Sequence, residues 1–350
     1  ASTLTVRKYA PLPDHKSSLQ MCNQHQILKI KLEMRMKCVQ NMKCSMRCSL
    51  IHHSRRLCSS ASTPSSVLLN SSRRLCSSAS TPSSVLLNRR DGVAVITLSD
   101  PAKLNALNGS MAIDFSKVID DLCDNCADIG AVVLTGAGRA FSAGGDLAFL
   151  EHRAADTPSR NSQLMRRFYA SFLQVRRLPI PVIAAINGPA IGAGLCLALA
   201  CDVRVAAKSA KMGITFVNLG LHPGMGATHF LPQIVGPQIA SRMMLTGEVV
   251  DGVEAAQVGL VAQVSEDGDA ALEDACELAQ RMAQAAPLAV RGCVRSLRMK
   301  QDEGLDRALW READAQAQVW NSRDMREGLD ALVERRTPAF SDFEHLRERE

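Results

Sequence analysis

The 350 residues are enough to bury an ample core in one large domain or two small ones, and 46% of them are hydrophobic. The net charge of +6 is a sum of opposites: residues 1–90 carry 15 Lys and Arg against 2 Asp and Glu, and the remainder carries 26 against 33, so a +13 segment precedes a body of −7. A mildly acidic body has no nucleic-acid footprint, and its six scattered cysteines do not form the framework of a secreted disulfide scaffold.

Residues 1–88 read as a basic leader. No acidic residue lies between Glu33 and Asp91, and Ser54–Asn70 (SRRLCSSASTPSSVLLN) recurs letter for letter as Ser72–Asn88, at a period of 18. A single duplication is no solenoid, which needs several stacked repeats. The Arg-rich, Ser-rich, acid-poor composition resembles a mitochondrial transit peptide, with the matrix as the implied location. Lacking apolar periodicity, residues 1–88 are expected to be disordered. A chain starting near Arg89 is accordingly expected to retain the whole core.

From there the pattern is α/β. Val93–Leu98 reads as a strand ended by Asp100-Pro101, and Gly109–Cys123 as a helix with the stripe Met111, Phe115, Val118, Ile119 and Leu122. Cys123 and Cys126 have redox or half-zinc spacing, but they sit in that helical pattern without a second pair and read as ordinary cysteines; no metal site is expected. Ala131–Thr135 is a strand leading into Ser142-Ala143-Gly144-Gly145-Asp146, where Asp146 can cap the next helix. Gln163–Arg176 reads as a helix, Pro181–Ile186 as a buried strand, Asn187–Gly194 as a second glycine loop, and the following residues as a helix to Ala200 and a strand at Val203–Ala206.

The uncharged stretch Leu178–Cys201, 24 residues long, meets the length of a membrane span. Pro179, Pro181, Pro189 and Asn187-Gly188 interrupt it, so strand, loop and helix are expected and no membrane span. Beyond Ile239 helices dominate, at Ile239–Thr246, Asp251–Val258, Ala270–Ala285, Leu288–Lys300, Glu303–Trp320 and Arg323–Arg335, with one strand-like run at Leu260–Val264. The expected organisation is a βα-repeat core over 89–285 and a helical region over 286–350 that suits a lid or an oligomer interface.

Two glycine loops that each follow a strand and enter a helix are the parts of an oxyanion hole. Small residues let two backbone N–H groups approach one acyl oxygen. The helix expected from Ala193 adds the positive end of its dipole to the same point.

These residues resemble the crotonase, or enoyl-CoA hydratase/isomerase, superfamily from about Asn88 to Phe340. The likeness runs through Pro101–Leu107, Ala140–Leu147, Pro181–Gly188, Gly192–Gly194, Ala200–Asp202, Leu219–Gly226, Leu245–Gly247 and Arg335–Phe340, in order. It implies a crotonase-like ββα spiral core with a C-terminal trimerisation region, and assembly as a homotrimer or hexamer. It further implies that the oxyanion-hole donors are the N–H groups of Gly145 and Ala193. An acyl-CoA thioester would be held around Lys103, Ala143, Gly145, Asp146, Leu147, Ala148 and Gly192, with no cofactor beyond the CoA of the substrate.

The resemblance breaks at the acids. Hydration in this family uses two glutamates, because protons are added and removed at adjacent carbons, and those positions here are Cys196 and Phe216. The dienoyl isomerases' aspartate position falls at Gly224. Cys196 could act as a thiolate near a helix N-terminus or serve as a small buried hydrophobe. His222 could exchange protons near neutral pH or be a turn residue bonded to backbone. Three functions stay open: a hydratase/isomerase with a relocated acid or base, an enzyme that decarboxylates a malonyl-type thioester without a protein base, and a non-catalytic acyl-CoA-binding or structural subunit.

Overall fold

Parallel strands buried on both faces need apolar runs, and this chain supplies them at intervals filled by amphipathic helices. The computed structural model describes residues 83–341; the expectations for residues 1–82, including the first repeat copy, lie outside them. Strands β1 (Val85–Arg90) and β2 (Val93–Leu98) form a hairpin. Its turn residues Asp91 and Gly92 both have positive φ, 53° and 77°, as a two-residue Asp-Gly hairpin loop requires. Helix α1 (Gly109–Asp124) is capped by Asn108 and buries Met111, Phe115, Ile119 and Leu122 of the stripe expected from sequence, with its fifth member, Val118, half-buried. Then come β3 (Ala131–Gly136), α2 (Leu147–Ala154), α3 (Pro158–Leu173), β4 (Val182–Ile186), β5 (Ala190–Ile191), α4 (Ala193–Leu199), β6 (Val203–Ala207) and β7 (Met212–Gly213).

Helix α5 (Ala227–Thr246) extends twelve residues upstream of the helix read from sequence, and it is broken at Gly236 (φ 77°, ψ 163°) between Pro232 and Pro237. The chain closes with β8 (Val249–Val250), α6 (Gly252–Gln257), β9 (Gln263–Ser265), α7 (Gly268–Ala283), α8 (Pro287–Gln301), α9 (Leu305–Val319) and α10 (Arg323–Glu334).

The main sheet has the order β1-β2-β3-β4-β6-β9, parallel throughout except for β1. Every residue of β3 and β4 is buried. Helix α7 covers β3, β4 and β6 with a buried face of Ala271, Ala275 and Ala279, small enough for close approach. A second sheet, β5-β7-β8, lies beside the glycine loops. The uncharged stretch Leu178–Cys201 is β4, β5 and α4 with their connections, and no helix among the described residues is long and apolar enough to cross a membrane.

The fold begins inside the segment assigned to the leader. Val85 is 3% exposed and pairs with Leu98. Asp114 on α1 accepts from Ser84 N (3.0 Å) and Ser84 Oγ (3.1 Å). The last six residues of the second repeat copy, Ser83–Asn88, thus supply the start of the sheet. A chain beginning at Ser83 should match the full chain in denaturant midpoint. One beginning at Arg89 loses most of the β1 ladder and the Val85 anchor, at a cost on the order of 2–4 kcal/mol. Equal midpoints for the two truncations would show β1 to be dispensable.

Candidate active site

The two glycine loops are laced together by their own backbones. Ser142 N donates to Pro189 O (3.0 Å), Ile191 N to Ser142 O (3.0 Å), and Leu107 N to Gly144 O (2.6 Å). Ser142 Oγ, fully buried, donates to Asn105 O at 2.8 Å. Gly144 has φ 95°, and a Cβ there would stand 2.7 Å from Ile191 O and 3.5 Å from Ala193 N. A side chain at this point would drive the loops apart, so glycine is required. Neither Gly145 N nor Ala193 N donates within this lacing.

Both residues face one cavity of about 360 Å³. Its wall is largely apolar, with Phe149, Leu150, Met165 and Phe168 on one side and Leu219, Ala331 and Leu332 on another. Ala193 is the first residue of α4, so its N–H is among those a helix leaves unpaired. Of the residues expected to hold the ligand, Ala143, Gly145 and Gly192 line the cavity, whereas Lys103, Asp146, Leu147 and Ala148 lie outside its lining. Asp146 caps α2, accepting from Ala148 N at 2.9 Å, and its other oxygen holds Lys103 Nζ at 3.0 Å. The hydrogen bond and charge of Asp146 raise the Lys103 ammonium above its usual range. Burial opposes ionisation of Asp146, but the Lys103 bond and charge and the α2 N–H groups outweigh it and hold its carboxyl below the usual range.

The two positions at which the resemblance expects acids have different surroundings. Phe216, in the short turn Thr215–Leu219, lines the cavity, its ring 3.8 Å from where a Cβ on Gly192 would stand. Cys196 is fully buried within α4, and its Sγ donates to Gly224 O at 3.3 Å. Burial, with the Glu312 carboxyl as a second cause, pushes its thiol well above the usual range. A thiolate is disfavoured there. His222 is not among the lining residues; its Nδ1 lies 2.6 Å from Pro223 O, as in a turn histidine bonded to backbone.

Three polar residues of the same region carry no local sequence signal. Tyr169 on α3 and Gln316 on α9 both line the cavity, and the phenol donates to Gln316 Oε1 at 2.7 Å. Gln316 Nε2 donates in turn to His222 O at 2.8 Å. A Cβ at Gly224 would collide with the Tyr169 hydroxyl. Burial first, then the Glu312 and Cys196 charges, raises the phenol well above its usual range, so it stays protonated at neutral pH. Glu312, fully buried on α9, accepts from Gly226 N (2.7 Å), Thr228 N (2.8 Å) and Thr228 Oγ1 (2.5 Å). It caps the start of α5, where no N-cap side chain does so. Burial raises its carboxyl above the usual range.

A family model for enoyl-CoA hydratase/isomerase matches residues 88–343. The 2,3-dehydroadipyl-CoA hydratase of Escherichia coli is 36% identical over 254 residues, 72% of this chain and 96% of that protein. The human mitochondrial methylglutaconyl-CoA hydratase is 34% identical over 252 residues, 71% of this chain and 74% of that protein. Among solved structures, an enoyl-CoA hydratase/isomerase from Pseudoalteromonas atlantica superposes with a TM-score of 0.64 at 31% identity, covering 74% of this chain and all of that one. With a shared fold, a shared sequence and the two laced glycine loops all in agreement, the chain belongs to the enoyl-CoA hydratase/isomerase family, the crotonase superfamily.

Proposed function

We propose that the protein binds an acyl-CoA thioester with its acyl oxygen between the N–H groups of Gly145 and Ala193, and that it is not a competent hydratase. One observation carries this reading. The cavity on which both glycine loops open has Phe216 at one acid position, and the other acid position is a buried, backbone-bonded thiol, Cys196. Among the described residues lining the cavity only Tyr169 and Arg336 carry ionisable side chains, and neither is a base at neutral pH. That favours, as a second reading, a reaction in which the substrate makes its own carbanion. Decarboxylation of a malonyl-type thioester breaks the C–C bond and leaves the electron pair as an enolate, which the two N–H groups can stabilise.

Titration calorimetry with acetyl-, crotonyl- and methylmalonyl-CoA, with products followed by mass spectrometry, separates these readings. Ala193→Pro tests the hole itself, because proline is accommodated at the first position of a helix but lacks the N–H. Affinity should fall about 5–10-fold through one lost hydrogen bond, and any turnover by roughly 10²–10³. Unchanged affinity in a folded Ala193→Pro variant would mean that the thioester sits elsewhere.

We also infer import into the mitochondrial matrix, on the Arg-rich, acid-poor composition of residues 1–82. A reporter fused behind residues 46–88 should be imported, and a cytosolic signal would count against it. A homotrimer or hexamer is proposed from the exposed apolar residues on α8, Leu288 (86%), Leu297 (64%) and Met299 (72%); a monomer in analytical ultracentrifugation would refute it.

A further inference from the structure

We propose that a second cavity, walled by α4, β6, α5 and α8, binds an amphiphilic oxyanion (a carboxylate or phosphate group on an apolar body) through Arg204 Nη2 and the Lys300 ammonium. The cavity holds about 510 Å³ and shares no lining residue with the one that Gly145 and Ala193 face. Arg204, on β6, is 9% exposed and stands in its wall. Its Nε donates to Leu260 O (2.8 Å) and its Nη1 to Cys201 O (3.0 Å). Nη2 has no partner among the described residues, yet it keeps accessible surface. With the rest of the side chain enclosed, that surface opens on the cavity the residue lines.

The ligand's charge follows from what surrounds this nitrogen. Two carbonyls satisfy N–H groups but do not neutralise a cation, and a buried charge without a counter-ion is costly. The nearby carboxylate is already committed. Asp202 Oδ1 accepts from Arg298 Nε (2.8 Å), and its Oδ2 from Arg298 Nη2 (2.5 Å) and Val182 N (2.7 Å). Burial lowers the Arg204 guanidinium below its usual range, and its neighbours do not offset that. Burial also pushes the Cys201 thiol, in the same wall, up to about 12, so it adds no negative charge at neutral pH. Lys300 is exposed on α8 at this wall and has no carboxylate partner among the described residues. The cavity is thus offered two cations, while its one carboxylate is paired elsewhere. Leu199, Phe230, Ile234 and Leu297 supply an apolar part of the wall, which a bare ion would leave uncovered and an alkyl or aryl body would cover.

The test uses the full chain in the assembly it forms, because Leu297 belongs both to this wall and to the α8 face proposed for self-association. Octyl phosphate, octanoate, inorganic phosphate and octanol are titrated calorimetrically. Octyl phosphate or octanoate should bind about 10-fold more tightly than inorganic phosphate or octanol, and the better of the two identifies the anionic group. Lys300→Glu changes an exposed side chain and should weaken binding about 5-fold. Lys117→Glu, on α1 and outside this wall, should not weaken it. Arg204→Gln, with folding checked by circular dichroism, should weaken it roughly 10–100-fold. Anion binding by the basic leader would respond to neither Lys300→Glu nor Arg204→Gln. Ala193→Pro should bind octyl phosphate as the unmodified protein does, so this site and the acyl-CoA reading fail separately. Equal binding of inorganic phosphate would mean an adventitious ion only. That result, equal binding of octanol, displacement by acetyl-CoA, or an affinity unmoved by Lys300→Glu and Arg204→Gln would overturn the proposal.

Discussion

Unmodified protein should hydrate crotonyl-CoA far more slowly than a family member with both glutamates. Loss of general acid–base help removes roughly 10²–10⁴ per group, and among the described residues lining the cavity none is a base at neutral pH. The Cys196 thiol is directed to Gly224 O, Phe216 has no exchangeable proton, and Tyr169 is protonated and already engaged with Gln316. Restoring both carboxylates by Cys196→Glu with Phe216→Glu should recover only part of the rate. A glutamate at 196 would be buried near Glu312 and Tyr169, and burial beside another carboxyl raises its pKa. It would then be protonated at neutral pH and fail to activate water, and placement errors near 1 Å can cost about 10²-fold. Progress curves at 263 nm measure both proteins, after circular dichroism has confirmed folding of the double variant. Robust hydration by the unmodified protein, abolished by His222→Ala, would overturn this and make His222 an acid–base group despite its bond to Pro223 O.

Arg298→Leu should be among the most destabilising single changes in the body. The side chain is 6% exposed and fastens α8 to the loop before β4. Its Nη2 and Nε bind Asp202 (2.5 and 2.8 Å), its Nη1 donates to Leu178 O (2.6 Å) and Arg176 O (3.0 Å), and Nη2 also reaches Ile180 O (3.3 Å). Asp202 in turn accepts from Val182 N at 2.7 Å, which sets the start of β4. Removing the guanidinium leaves a carboxylate and three carbonyls without their donor. Breaking one side of such a pair costs about 3–5 kcal/mol, which for a domain of this size lowers Tm by roughly 6–20 °C. Arg298→Lys should recover only a fraction, because an ammonium cannot span the same acceptors as a planar fork. A melting temperature within 2 °C of wild type in Arg298→Leu would show the latch to be superfluous.

The features legible in the sequence are those written in contiguous residues. The stripe Met111, Phe115, Ile119 and Leu122, the Asp146 cap and the two glycine loops each declare themselves within a few positions. Strand β1 did not, because its apolar run ends a segment whose serines and arginines dominate any window around it. The first half of α5 was hidden by Pro232, Gly236 and Pro237, which read as a break but are tolerated as a kink between two helical halves. Helix α2 is short and none of its residues is fully buried, so its Asp146 cap is the signal that announces it. The polar set in the site lies beyond any local rule. Tyr169 meets Gln316 across 147 residues of chain, and Trp320 belongs with them only because α9 presents both of its residues to the cavity. The burial of Cys196 against Gly224, 28 residues along the chain, lies beyond any local rule as well.

The β1–β2 hairpin also guards the sheet. With β1 in place, the backbone groups on the outer side of β2 are matched residue for residue, from Val85 opposite Leu98 to Arg90 opposite Val93. A cut that falls upstream of Ser83 leaves that cover whole, and one a few residues downstream strips it. The uncovered strand VAVITL would then be a β-rich, uncharged template for pairing with other molecules. The position of a truncation therefore decides whether the sheet edge stays covered or is open to self-association.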